Sequence, residues 1–205
     1  MNIFYFNTDP ILAANDHCKE HTNKIRLEVG QVMSTAFYYL CPDKVEIRKE
    51  FDPIEEKVVT KYYVDDLKIY KKAHYNHPTC RWVRQSKENY EWSFAYLKAL
   101  QEKQLADGYN GDRCAEMIST FETISNNLNF SSTALTPVKL AMTLPLKEKY
   151  GELDKSQGFL DYLADLPVAV DAYKEYMCGK IFKNDKLPTY MIKPNWYKYE
   201  ATEQE

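Results

Sequence analysis

The sequence predicts a mainly α-helical fold: a compact multi-helix single domain over 1–205 with a small β-hairpin insertion at 44–64. Apolar residues recur at three- and four-residue spacing along four long stretches, which is the helical period. Alternating β-prone residues flank one point only, Asp52-Pro53. Glycine is scarce, 6 in 205 residues, and neither G-x-G-x-x-G nor G-x-x-x-x-G-K-S/T occurs, so a Rossmann or P-loop reading has no support.

Residues 2–6 read as a short apolar strand or anchoring tail. Thr8-Asp9-Pro10 then opens a helix, with a capping side chain followed by a proline whose missing N–H costs nothing at the first position. Ala14, Cys18, Ile25, Val29, Val32 and Ala36 carry its apolar stripe to about Leu40. Val45, Ile47 and Lys49, then Val58, Thr60 and Tyr62, form the two arms of the hairpin. A second long helix is expected from Pro78 to Ala106, with Val83, Tyr90, Phe94 and Leu97 inward and Arg81, Gln85, Glu88 and Trp92 on the opposite side. A third covers about 112–128, with Met117, Ile118, Phe121, Ile124 and Leu128 inward. Ser, Thr and Pro make 129–145 an extended loop. A fourth helix is expected over about 156–179, broken or kinked at Pro167. The stretch 186–205 is an extended aromatic-basic tail.

The chain carries 27 Lys and Arg against 30 Asp and Glu, a net charge of -3, so nothing draws it to nucleic acid globally and any such contact needs a local patch. Two patches qualify. Residues 61–103 hold nine Lys and Arg against five Asp and Glu, and 180–199 hold five Lys against Asp185. Trp82, Tyr90, Trp92, Trp196, Tyr197 and Tyr199 interleave with them, as base-stacking rings would between phosphate-binding cations; a solvated charged face is the plainer reading. The five cysteines are widely spaced with no C-x-x-C, which points to a reducing compartment. No segment approaches ~18 apolar residues and the N-terminus lacks a basic start, so a cytoplasmic protein without a membrane span is expected.

The four histidines fall in two clusters, His17 with His21 and His74 with His77, each near the start of an expected helix. His17, His21, Lys24, Glu28 and Gln31 share one face within roughly 80° at ~100° per residue. That strip borders the apolar stripe, where a pocket between packed helices forms. His17 and His21 have metal-ligand spacing, but no acidic partner follows and Lys24 repels a divalent cation, so no metal or other cofactor is expected. Glu28 is the candidate reactive carboxylate, with a simple Lys24–Glu28 pair as the structural alternative.

Asp9-Pro10, Ala13-Ala14, His17-Cys18, His21, Lys24, Glu28, Gln31 and Ser34-Thr35-Ala36 resemble a family of small, uncharacterised phage proteins. The likeness continues through Asn76-His77-Pro78, Trp82, Arg84, Ser86, Asn89-Tyr90 and Trp92, then Pro137, Ala141-Met142, Ala172-Tyr173-Lys174 and Tyr176, to Pro194-Asn195-Trp196-Tyr197. Separately, the tail Pro194-Asn195-Trp196-Tyr197-Lys198-Tyr199 is similar to the substrate-binding tail of phage pyrimidine-dimer DNA glycosylases of the endonuclease V type. Those are compact helical proteins whose first long helix supplies a catalytic glutamate, here Glu28, and whose nucleophile is an α-amine.

The expected function is a phage-type enzyme acting on DNA bases or nucleotides, of the N-glycosylase kind, located in the host cytoplasm. Its pocket is expected between the 10–40 and 78–106 helices, closed by the tail. Glu28, Lys24, His17 and His21 are the candidate catalytic residues. Gln31, Asn76, His77, Arg81 and Arg84, with Trp196 and Tyr197, are the candidate substrate-binding residues. A non-catalytic factor that binds a nucleotide or a host protein, and a transferase of DNA base hypermodification, are the alternatives.

Overall fold

The computed structural model describes residues 2–109, 112–156, 158–182 and 185–198. Within them the fold is mixed α+β, which corrects the mainly helical expectation. Seven α-helices accompany two three-stranded antiparallel sheets. The second sheet is built from strands of two to four residues, too short for a two-residue period to stand out.

The N-terminal segment is an anchor rather than a strand, with Ile3, Phe4, Tyr5 and Phe6 buried. Helix α1 (Pro10–Asn15) starts where Asp9 Oδ1 accepts from the Ile11 and Leu12 amides at 2.7 and 3.2 Å. It stops at Asp16, so the continuous helix expected over 10–40 is broken. His17 and Cys18 bridge the break, Cys18 in extended form, and α2 runs Lys19–Leu40. The kink lets both His17 and Cys18 point into the core. Cys18 gives α2 no side-chain cap, and the Lys19 amide donates instead to the Thr189 carbonyl at 2.8 Å. The apolar stripe itself is as expected, since Ala14, Cys18, Ile25, Val29, Val32 and Ala36 are all buried.

Strands β1 (Val45–Asp52) and β2 (Lys57–Val64) pair in register across the segment expected to be a hairpin, and β3 (Leu67–Ile69) adds a third strand. Along the hairpin, Ile47, Phe51 and Val58 are each about two-thirds exposed. The second long helix is also divided. Helix α3 (Pro78–Val83) ends at Arg84, and α4 (Lys87–Ala106) restarts where Ser86 Oγ accepts from the Asn89 amide at 3.2 Å. Trp92 is not on a solvent face: its ring packs against Tyr5 and Tyr96, and Nε1–H donates to the Thr8 carbonyl at 2.9 Å. Arg81, expected on that same outer side, is buried as well.

Helix α5 (Asp112–Ile124) closes in a short 3-10 turn over Ser125–Asn127. The expected loop at 129–145 contains β4 (Val138–Lys139) and the start of α6 (Leu144–Tyr150). The front of the expected 156–179 helix is instead strand β6 (Asp161–Ala164), which pairs with β5 (Glu152–Asp154) and β4 in the order β4-β6-β5. Helix α7 is Leu166–Cys178, and Pro167 sits in its first turn, where it starts the helix instead of kinking it. Tyr5, Trp82, Trp92, Tyr96 and Tyr173 meet in the aromatic centre of the core. Among the described residues no helix is long and apolar enough to cross a membrane.

Candidate functional site

Helix α2 presents His21, Lys24 and Glu28 on successive turns to a groove of about 750 Å³. The facing wall is Tyr176 on α7 with Lys180, Phe182 and Lys186 beyond it, and Asn2 and Phe4 form the floor. The groove therefore lies between α2, the N-terminal segment and the C-terminal part of the chain. Neither α3 nor α4 lines it, which corrects the expected pocket between the 10–40 and 78–106 helices.

Glu28 is held in place from the N-terminal segment. The Asn2 amide N–H donates to its Oε2 at 3.0 Å, and Lys24 Nζ stands 3.8 Å from Oε1. The glutamate side chain is 16% exposed and the lysine 71%, so the ion pair sits at the groove mouth with its carboxylate end inside. Asn2 is fixed in turn. Its Nδ2–H donates to the Ala141 carbonyl at 2.8 Å, and its Oδ1 accepts from Thr79 Oγ1 at 3.3 Å and Tyr173 OH at 3.2 Å. No sequence signal marks Asn2 as a site residue. Lys180 and Lys186 belong to the basic stretch that the charge count marks, while Tyr176 and Phe182 carry no such mark.

His21 is buried, edge-on to Phe182 with ring centres 5.0 Å apart and tilted over Phe4 at 4.7 Å. Burial, with the ammonium groups of Lys180 and Lys24 nearby, holds its pKa down at about 4, so the imidazole is neutral at pH 7. Lys180 reaches across Tyr176, donating to its hydroxyl at 3.2 Å. Two carboxylates (Glu20 and Glu28), a neutral imidazole, three ammonium groups and aromatic walls thus face one space.

The other expected site residues are dispersed. His17 lies off the helix, inside the core, where its Nε2 makes a short hydrogen bond to Tyr96 OH and its pKa is lowered by burial and by His21. It does not line the groove, and neither does Gln31, whose carbonyl accepts from Thr35 Oγ1 at 2.8 Å. His77 caps α3, its Nδ1 accepting from the Thr79 amide at 3.3 Å, and burial lowers its pKa to about 4. It joins the groove only indirectly, through Thr79 and Asn2. Asn76, Arg81 and Arg84 line a separate recess of about 690 Å³ with Tyr39, Tyr75 and Phe159. Trp196 and Tyr197 are packing residues. Trp196 donates to Asp16 Oδ2 at 2.7 Å and lies on Phe6, and Tyr197 is buried against Tyr190. Tyr199 lies outside the described residues.

Among the described residues no group of three or more His, Cys, Asp or Glu is placed to hold a metal ion. No family model matches the chain, and neither a curated protein nor a solved structure matches it.

Proposed function

We propose that the groove is the active site of an enzyme that cleaves an N-glycosidic bond in a nucleotide, free or within DNA. The observation that carries this reading is Glu28, a mostly buried carboxylate whose Oε2 is fixed by the Asn2 amide in a groove also walled by rings and lysines. A fixed anion beside the sugar stabilises the positive charge that develops at C1′ as the base departs. In the proposed step the C1′–N bond breaks and its electron pair leaves with the base, which takes a proton from the Lys24 ammonium. Water forms the new C1′–O bond and gives its proton to Glu28, from which it returns to Lys24. Lys180 and Lys186 meet the phosphate, and Tyr176 and Phe182 meet the base. Arg81, Arg84, Trp196 and Tyr197 have no part in this site, since they lie elsewhere.

Glu28→Gln tests it. The amide retains the shape and the acceptor for the Asn2 N–H but neither the charge nor the basicity. Incubation with nucleotides and with damaged and modified DNA, read by mass spectrometry of released base, should show turnover down by on the order of 10²-fold or more. The melting temperature should stay within a few degrees. Equal release by wild type and variant, or no release from any substrate, overturns the reading.

A further inference from the structure

On one side of α3, buried positive charge exceeds the negative charge that meets it. Arg81, on α3, and Lys139, on β4, share the single carboxylate of Asp161, on β6. Arg81 reaches it through Nη2, and Lys139 Nζ lies at 3.3 Å. All three side chains are buried, and Asp154, paired opposite Asp161, adds its charge near Lys139. The cation left without a described counter-charge on this side is therefore Arg84, which is costly to bury unless an anion answers it. Arg81 Nε and Nη1 have no hydrogen-bond partner among the described residues. Arg84, three residues on, is also buried and makes no ion pair with a described carboxylate. Its guanidinium lies between the rings of Tyr39 and Tyr75, 4.5 and 4.1 Å from their centres, with Nη1–H donating to the Tyr75 carbonyl at 2.6 Å. Both arginines line the 690 Å³ recess, Arg81 with its guanidinium 3.7 Å from the centre of the Phe159 ring, and the described lining includes amide and hydroxyl side chains but no Asp or Glu.

We infer that this recess is a second binding site, distinct from the Glu28 groove, that takes a phosphate group. The inference stands independently of the reading of that groove. A guanidinium presents a planar fork of donors that matches phosphate oxygens, and the two tyrosines fix the plane of Arg84 before any ligand arrives. Asn76 and Gln85 add neutral polar groups at the walls. A free phosphate ester and a nucleic-acid backbone offer these donors the same oxygens.

Isothermal titration calorimetry of the full chain at low salt separates the outcomes. The probes are inorganic phosphate, thymidine 5′-monophosphate and a single-stranded oligonucleotide. At least one should bind saturably at a site separate from any binding in the Glu28 groove. Ser131→Asp, which puts a carboxylate on the exposed rim, should weaken that binding at least tenfold, and Glu28→Gln should leave it unchanged. Tighter binding of the monophosphate assigns the site to a free ester, and tighter binding of the oligonucleotide assigns it to a backbone. Arg84→Met should abolish binding, and if that variant does not fold, Ser131→Asp decides. The inference is overturned if no probe binds a cooperatively folded wild type, if Ser131→Asp binds as wild type does, or if Glu28→Gln weakens binding as much as Ser131→Asp.

Discussion

His21 and Asp161 show how much single side chains carry here. Burial lowers the pKa of His21 to about 4 in the folded chain, against about 6.5 in an unfolded one, and His17 is lowered in the same sense. Between these limits the unfolded state binds more protons, so the stability present above pH 6.5 is lost as pH falls toward 4. His21 should contribute a slope of up to roughly 1.4 kcal/mol per pH unit inside that window, and His17 a slope of the same sign. Urea unfolding at pH 7, 6 and 5 measures it, and His21→Asn should reduce the slope to what His17 and His77 leave; a flat wild-type profile would mean that these rings are solvated. Asp161 makes the opposite kind of contribution. Asp161→Asn leaves Arg81 and Lys139 buried without their shared counter-charge, and a loss of about 3–5 kcal/mol is expected in the same assay. A loss under ~1 kcal/mol would mean that water reaches the cluster.

Among the elements, α2 depends on a close approach. A Cβ at Gly30 would come within 2.9 Å of Tyr70 Cε2. Tyr70 cannot easily withdraw, since its amide donates to Ser34 Oγ at 3.1 Å and its carbonyl accepts from Tyr38 OH at 3.2 Å. Alanine in mid-helix would otherwise gain up to ~1 kcal/mol, yet Gly30→Ala should destabilise by about 1–3 kcal/mol; a raised melting temperature would show that the ring moves freely. The same helix shows what the sequence made legible. Its apolar stripe is readable because five turns repeat one period, and the hairpin is readable from two eight-residue strands around Asp52-Pro53. The break at His17 and Cys18 is not, because it is set by the tail's Thr189 carbonyl, distant in sequence. Within the strip, His21, Lys24 and Glu28 reach one groove, while His17 and Gln31 do not, since shared helical phase cannot reveal a break in the helix or where the opposite wall ends. Arg81 and Arg84 are legible as cations, but their separation from Glu28 depends on where α3 meets β4 and β6.

Across the whole molecule, the N-terminal region and the tail are tied together. Trp196 packs on Phe6 and bonds to Asp16, and the Thr189 amide donates to Glu20 Oε2 at 3.0 Å. Trp196 is only partly buried, so Trp196→Ala should cost less than a core aromatic, about 1–3 kcal/mol. It should also speed the reaction of the buried Cys18 thiol, whose pKa burial raises to about 12, with a thiol reagent. Unchanged thiol kinetics would mean that the tail does not guard this region. The hairpin matters for a different reason. In the sheet order β1-β2-β3, β1 is an edge eight residues long, and the apolar side chains of Ile47 and Phe51 lie beside it in solvent. Such an edge invites lateral growth by strand addition. Five of its eight residues carry charge, namely Glu46, Arg48, Lys49, Glu50 and Asp52, and they act as gatekeepers. Lys49 stands between the two apolar side chains on the same face, so Lys49→Ile would join them into a continuous sticky stripe. Colloidal behaviour, rather than fold or chemistry, should change first: light scattering of that variant should rise with concentration while the wild type stays dispersed.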